Sequence, residues 1–342
     1  MIIRTLTFAA GWALLILISV SASHAATFIT FDVSGAKQTY AEDIDGQGNV
    51  VGNYDDNLGQ RHGFIRLVDG TFQLYSEQYS VNPAAISDGG IITGSTTESP
   101  GRAFSGALDG TINSFKNKQL SALRGIAINS AGAIAGYGND QLQVYHGFLR
   151  TKKNRIEILD APNAGTGYQQ GTQPEAISDD GVIAGEAISN AGTHGFLRDK
   201  KGNMLAFDPP GSLFTLVSSV SKDDAVLGRY VDASLASHAY LRTARGDYST
   251  FDAPGAGTNL GQGTMLSDVN AKGVIVGSMI DSNGVYHGYI RSKAGKFTSV
   301  DAPGAGTNSD EGTLVLHEND NGQIVGVYYD DHLQQHGFIR LP

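Results

Sequence analysis

Cysteine is absent from all 342 residues, so no disulfide can brace this chain. Tryptophan occurs once, at Trp12. Helical periodicity is not sustained anywhere after the first segment, which also holds the one long apolar run, Leu6 to Val20. Functional signatures are missing too: there is no Gly-x-Ser-x-Gly nucleophile turn, no close histidine pair suited to a metal, and no loop with EF-hand or nonapeptide spacing. Positive charge is scarce. The 24 Lys and Arg face 34 Asp and Glu, and the formal charge of −10 disfavours nucleic acid or an anionic membrane as partner.

What the chain has in quantity is glycine and repetition. The segment His62-Gly-Phe-Ile-Arg66 returns at His146, His194, His238, His287 and His336, with a worn copy at Ala103-Phe-Ser-Gly-Ala107, which makes seven copies. Self-similarity at such a period marks an array whose units bury their apolar faces against one another. Upstream of each copy lies a short apolar stretch closed by glycine, such as Gly48-Asn-Val-Val-Gly52 or Gly273-Val-Ile-Val-Gly277. Before that comes a segment ending in an aliphatic residue and Asn, Ser or Asp, and after the His segment comes a fourth that often ends in Asp, as in Phe251-Asp252.

Four short strands rich in Val, Ile, Phe and Tyr, parted by Gly, Asn and Asp turns, predict one antiparallel sheet per repeat. The predicted fold is all-β, a seven-bladed propeller of four-stranded antiparallel blades, with an open β-solenoid as competitor. Repeat phase decides between them. Phe28-Ile-Thr-Phe-Asp32 is a copy of the fourth strand, and the last copy at His336 to Arg340 lacks one. The N-terminal strand is therefore expected to complete the last blade and close the ring, with blade one starting near Lys37.

Arg4, the apolar run and Ser23-His24-Ala25 read as a secretory signal peptide over residues 1–25, leaving 26–342 as a single domain. The expectation is a secreted, periplasmic or extracellular monomer with no membrane span. Without cysteine, such an exported chain depends on closure and core burial.

The combination of Phe251-Asp-Ala-Pro-Gly-Ala-Gly-Thr-Asn259, a Gly-Val-Ile-Val-Gly strand and His-Gly-Phe/Tyr-Ile-Arg resembles the HAF family of probable extracellular repeats from bacteria. The resemblance covers nearly all of 26–342. It implies export and a repeat fold; it implies no activity, and no catalytic residue carries over from it.

The repeated His and Arg read as structural hydrogen-bonding groups, because copies on neighbouring blades lie too far apart to share one metal ion. Long connectors fall between the second and third strands and between the fourth and the next first strand, so one face of the molecule is rich in loops. Asp55, Asp56, Asp281, Asp330 and Asp331 on that face are the candidate ligands for calcium, the only cofactor the chain suggests. Gly, Asp and Asn are also what plain turns require.

Departures from the repeat carry more. Aligning the first strands matches Asp43, Ala85, Ala127, Ala176, Ser219, Asp268 and His317. The ionisable exceptions come from the first, sixth and seventh repeats, which a closed ring makes neighbours at the central channel. Glu318 occupies a slot that is Ile or Val elsewhere, and a carboxylate there needs a partner. Asp43, Asp268, His317 and Glu318 are the candidate acid and base residues. Two functions remain: a non-enzymatic binding or interaction propeller for an unidentified protein or carbohydrate ligand on the loop-rich face, or a hydrolase or lyase at the channel mouth.

Overall fold

A computed structural model describes residues 26–75 and 81–342. The expected signal peptide lies outside the described residues. Those described form twenty-eight β-strands in four-stranded antiparallel units, with no helix among them. In the first repeat the strands Gln38–Ile44, Val50–Asp55, Arg61–Arg66 and Phe72–Leu74 pair in chain order, and the repeats that follow do the same. The seventh obtains its fourth strand from the other end of the sequence. Phe28–Phe31 pairs antiparallel with Gln335–Arg340, Phe28 opposite Arg340 and Phe31 opposite Gly337.

The turn from first to second strand is built alike in all seven repeats. Asp45, Ser87, Asn129, Ser178, Ser221, Asn270 and Asn319 each accept, through the side chain, the amide N–H four residues ahead, at 2.8 to 3.1 Å. This explains why only Asp, Asn or Ser stands at that turn position: each has a short oxygen-bearing side chain able to replace a backbone acceptor.

Packing follows the motif. Phe64, Phe104, Phe148, Phe196 and Phe338, the aromatic residues of His-Gly-Phe and of the worn copy, are fully buried, each worth about 1.5–3 kcal/mol of transfer free energy. The glycine opposite is what admits the ring. A Cβ on Gly52 would fall 2.1 Å from the Tyr40 carbonyl oxygen and 2.7 Å from the Phe64 ring. A second glycine requirement arises where repeats join: Gly263 lies at φ +118° against Ser237, and a Cβ there would sit 2.1 Å from the Ser237 oxygen. Only glycine tolerates both that dihedral and that approach. Single parallel bridges at Gly171, Gly263 and Gly312 thus merge some neighbouring units into larger sheets.

The core lies between repeats as much as within them. One cluster unites Phe31, Ala41, Ile44 and Phe64 with Val325, Val327 and Ile339, joining the first repeat to the seventh. The motif arginines stack on the fourth-strand aromatic of the preceding repeat: Arg150 on Phe115 at 4.6 Å, Arg242 on Phe207 at 5.2 Å and Arg291 on Phe251 at 4.4 Å. Arg66 makes the same contact with Phe31 at 5.1 Å. Turn contacts repeat the pattern. Asn129 Nδ2 donates to the Ser178 carbonyl at 3.1 Å, and Asn319 Nδ2 donates to the Asp45 carbonyl at 2.8 Å.

Candidate functional site

Each first strand carries a register shift at one equivalent point, between Ala41 and Asp43 in the first repeat and between Val315 and His317 in the seventh. A bulge inserts one residue and re-aims its neighbours. The inserted residues are Glu42, Ala84, Ile126, Glu175, Ser218, Ser267 and Leu316. Ser218 and Ser267 donate to carbonyls of the next repeat, Leu266 at 2.6 Å and Val315 at 2.7 Å. A single cavity of about 880 Å³ touches the first strand of every repeat and runs up to Thr96, Glu98 and Gly101 beside the connector of the second repeat, on the loop-rich side.

The aligned column meets in that cavity. His317 Nδ1 lies 3.4 Å from Asp268 Oδ2 and 3.5 Å from Asp43 Oδ1. Asp43 also accepts the Ile44 amide at 2.7 Å and the Ile86 amide of the next repeat at 2.8 Å. Asp268 accepts the Ser219 hydroxyl at 2.8 Å and the Glu318 amide at 3.3 Å. A continuous polar chain thus runs Ser219, Asp268, His317, Asp43, Ile86, and it passes from the seventh repeat to the first.

Charge follows from this geometry. Burial works against a cationic His317, yet Asp43 and Asp268 outweigh it and raise the imidazole to about 10. Burial pushes Asp268 up as well, and its contacts with His317 and Ser219 hold it below the usual carboxylate range. Asp43 is raised by burial, with the His317 charge opposing. The cluster is an imidazolium between carboxylates, since 39% of the His317 side chain remains open and the cation is only partly desolvated. An imidazole protonated through neutral pH cannot serve as a base there.

Glu318 does not join the cluster. Glu318 is buried beside Arg340 and does not border the cavity, although its counterparts Ile128, Ile177, Val220 and Val269 do, and its Oε2 has no partner among the described residues. Burial raises it to about 7, with Asp268 adding to the shift and Arg340 opposing. Replacing Glu318 with Val, the residue at the equivalent Val269, is expected to stabilise the fold by about 1–2 kcal/mol at pH 8. The folded carboxyl binds its proton more tightly than the unfolded one, so its cost grows as pH rises from about 4.3 through 7. Urea midpoints at pH 5 and pH 8 check this; an equal gain at both would show that the carboxylate charge is not the cause.

Sequence alignment overlooked Glu42, Glu175 and Glu186. Glu42 Oε1 accepts from Asn53 Nδ2 at 3.1 Å, and burial raises its carboxyl. Glu175 is raised to about 7 by burial and faces Glu186, which burial and the Glu175 charge hold far above the usual range. Glu186 Oε1 accepts the Val217 amide at 2.7 Å. For Glu42 and Glu175 the available signal was Glu one place before the aligned column, where other repeats have Ala, Ile, Ser or Leu; Glu186 lies on the second strand and had no such signal.

The motif histidines stay within their own repeats. Nδ1 meets the aspartate that ends the fourth strand: His146 with Asp160 at 2.6 Å, His194 with Asp208 at 2.8 Å, His238 with Asp252 at 2.9 Å and His336 with Asp32 at 2.9 Å. Where the second-to-third turn also offers Asp, Nε2 turns to it, as His238 does to Asp232 at 3.3 Å; His62, with no aspartate after its fourth strand, keeps only the turn contact, Nε2 to Asp56 at 3.1 Å.

Those turn aspartates include the expected calcium ligands. Asp56, Asp281 and Asp330 each accept two amides of their own turn through Oδ1, and Asp55 pairs with Arg61 at 2.9 Å. Asp331 contacts His332 at 2.6 Å. Among the described residues one group, Asp330, Asp331 and His332, brings three ligand atoms within 4.8 Å of one another. That is well short of the roughly 6–8 oxygens calcium takes.

No family model and no curated protein matches the chain. Solved structures do. A puromycin hydrolase aligns at TM-score 0.58 and 12% identity over 86% of this chain and 50% of its own, so the chain spans half the length of that enzyme. The BP39L lectin from Burkholderia pseudomallei aligns at TM-score 0.51 and 9% identity, over 90% of this chain and 99% of the lectin. The Dos1 propeller aligns at TM-score 0.50 and 10% identity, over 90% and 84%. At such identities the likeness is one of fold, and the fold is that of β-propeller repeat proteins.

Proposed function

We propose that this chain is an exported, closed seven-bladed propeller of the HAF kind that acts as a non-enzymatic binding module, with its ligand in the central cavity reached from the loop-rich face. The observation that carries the reading is the cavity of about 880 Å³ bordered by the first strand of every repeat. A void touching all seven is what a ring leaves at its axis, and its size suits a small ligand. The contacts of Phe31 with Arg66 and of Asn319 with Asp45, which duplicate contacts between interior repeats, support the same closure.

Binding is favoured over hydrolase or lyase chemistry because the one histidine in the cavity is held as a cation by two carboxylates that are already engaged with backbone and hydroxyl donors. Fold likeness to both a lectin and a hydrolase selects neither. Thermal shift of the whole chain against panels of glycans, divalent cations and organic amines tests the reading. A saturable rise in melting temperature with one class, abolished by bulky replacement of Ala127 at the cavity wall, is expected. Turnover of any substrate that disappears in His317→Ala at unchanged melting temperature would establish the enzyme instead.

A further inference from the structure

Two carboxylates in the cavity wall have no cation of their own. His317 serves Asp43 and Asp268, Arg102 pairs with Glu98 at 3.1 Å, and Arg61 pairs with Asp55. Neither Glu42 nor Glu175 has a basic side chain within ion-pair distance among the described residues; His317 and Arg61 act on Glu42 only from farther off, and Glu175 faces the carboxyl of Glu186. Both stand at bulges, where the extra residue is directed by the backbone rather than by strand alternation. A carboxylate removed from water without a counter-charge is costly, and that cost is relieved when a cation arrives.

Asn53 supplies an independent observation. It borders the cavity, is only 5% exposed, and its Oδ1 has no partner. Its amide cannot be turned round to mend this, because Nδ2 already faces two acceptors, Glu42 Oε1 at 3.1 Å and the Pro83 carbonyl at 3.2 Å. Asn82 Oδ1, on the same wall, is also without a partner. The Asn53 and Asn82 oxygens are thus buried acceptors left without a donor, while Arg124, the other basic residue lining the cavity, lies over the Tyr137 ring at 5.8 Å. The inner ends of the strands add apolar wall at Ile126, Val217 and Val269.

We infer that the cavity seats a small organic cation, an alkylammonium or alkylguanidinium, with Glu42 and Glu175 as its anionic anchors, Asn53 as an added acceptor and the aliphatic wall against its chain. The inference rests on the binding reading and names the ligand class for it. A bare metal ion fits poorly, since no three carboxylate or imidazole ligand atoms converge within 4.8 Å in the cavity among the described residues. A neutral sugar brings donors but leaves the carboxylates uncompensated. A flexible cation supplies several donors and the charge together.

Calorimetric titration of the full chain with 1,5-diaminopentane, with the isosteric 1,5-pentanediol and with calcium chloride tests this directly. The diamine is expected to bind at one site, the diol not at all, and Glu42→Gln and Glu175→Gln are each expected to weaken the diamine by about tenfold, a loss of one charge contact. Melting temperatures of both variants should hold or rise, because each removes a buried uncompensated charge. Equal binding of diol and diamine, a calcium response stronger than the diamine's, or silence toward the diamine overturns the inference. The diol comparison needs no variant, so it decides even if a substitution prevents folding. Should a glycan raise the melting temperature while the diamine does nothing, the binding reading survives and the cation does not; silence toward every class removes both.

Discussion

Phe31→Ala is expected to cost about 3–5 kcal/mol, as much as the same change at an interior interface. Phe31 is 8% exposed, packs on Phe64 at 6.3 Å and Phe72 at 5.9 Å between ring centroids, and carries Arg66 over its face. Phe207 is its interior counterpart: 7% exposed, 6.2 Å from Tyr240 and beneath Arg242. Residues 28 to 31 would form a frayed terminal strand if the array were open, and truncating an aromatic in a frayed strand costs little. In a closed ring the two substitutions report on equivalent interfaces. Urea unfolding of Phe31→Ala and Phe207→Ala should give losses that agree within roughly 1 kcal/mol. A cost below roughly 1 kcal/mol at Phe31 with a full cost at Phe207 would show that the first strand does not close the structure.

The repeat could be read because each of its letters answers a local requirement that recurs. Glycine opposite Phe64 is fixed by a ring that would collide with any side chain, and Asp, Asn or Ser at the turn is fixed by an amide needing an acceptor. Phe28 to Asp32 could be recognised as a displaced fourth strand for the same reason. Alignment also brought Asp43, Asp268 and His317 to one place, because a shared glycine set the register correctly in three repeats. What stayed hidden was the bulge. A strand read as strictly alternating puts Glu42 and Glu175 on the face opposite Asp43 and Ala176, whereas the inserted residue lets both neighbours border the cavity. Glu318 failed the other way: adjacency in sequence grouped it with His317, whereas its side chain is buried beside Arg340 and takes no part in the cavity wall that its counterpart Val269 helps to form. The turn aspartates looked like cation ligands because turn chemistry and calcium chemistry draw on the same side chains, and only the hydrogen bonds of Asp281 and Asp330 reveal how those oxygens are already used.

His317→Gln separates a structural imidazolium from a catalytic imidazole. The substitution leaves Asp43 and Asp268 facing each other without the cation between them. Breaking a closed buried ion cluster typically costs about 3–5 kcal/mol; here 39% of the His317 side chain is open, and solvent screening lowers the expectation to about 2 kcal/mol at pH 6. Its pH dependence has a fixed sign. The folded imidazole, raised to about 10, stands above its unfolded value near 6.5, so the stabilisation is complete below about pH 6.5 and is lost as pH rises through the folded value. The gap between wild type and His317→Gln should therefore be widest at pH 6 and shrink steadily toward pH 10 in denaturant titrations. Adding Asp43→Asn to His317→Gln removes one of the stranded carboxylates and should recover part of the loss, a coupling that independent sites would not show. A variant as stable as wild type across that range would mean that His317 is neutral in the fold, and the imidazole would then be free to act as a base in the cavity, reopening the hydrolytic reading.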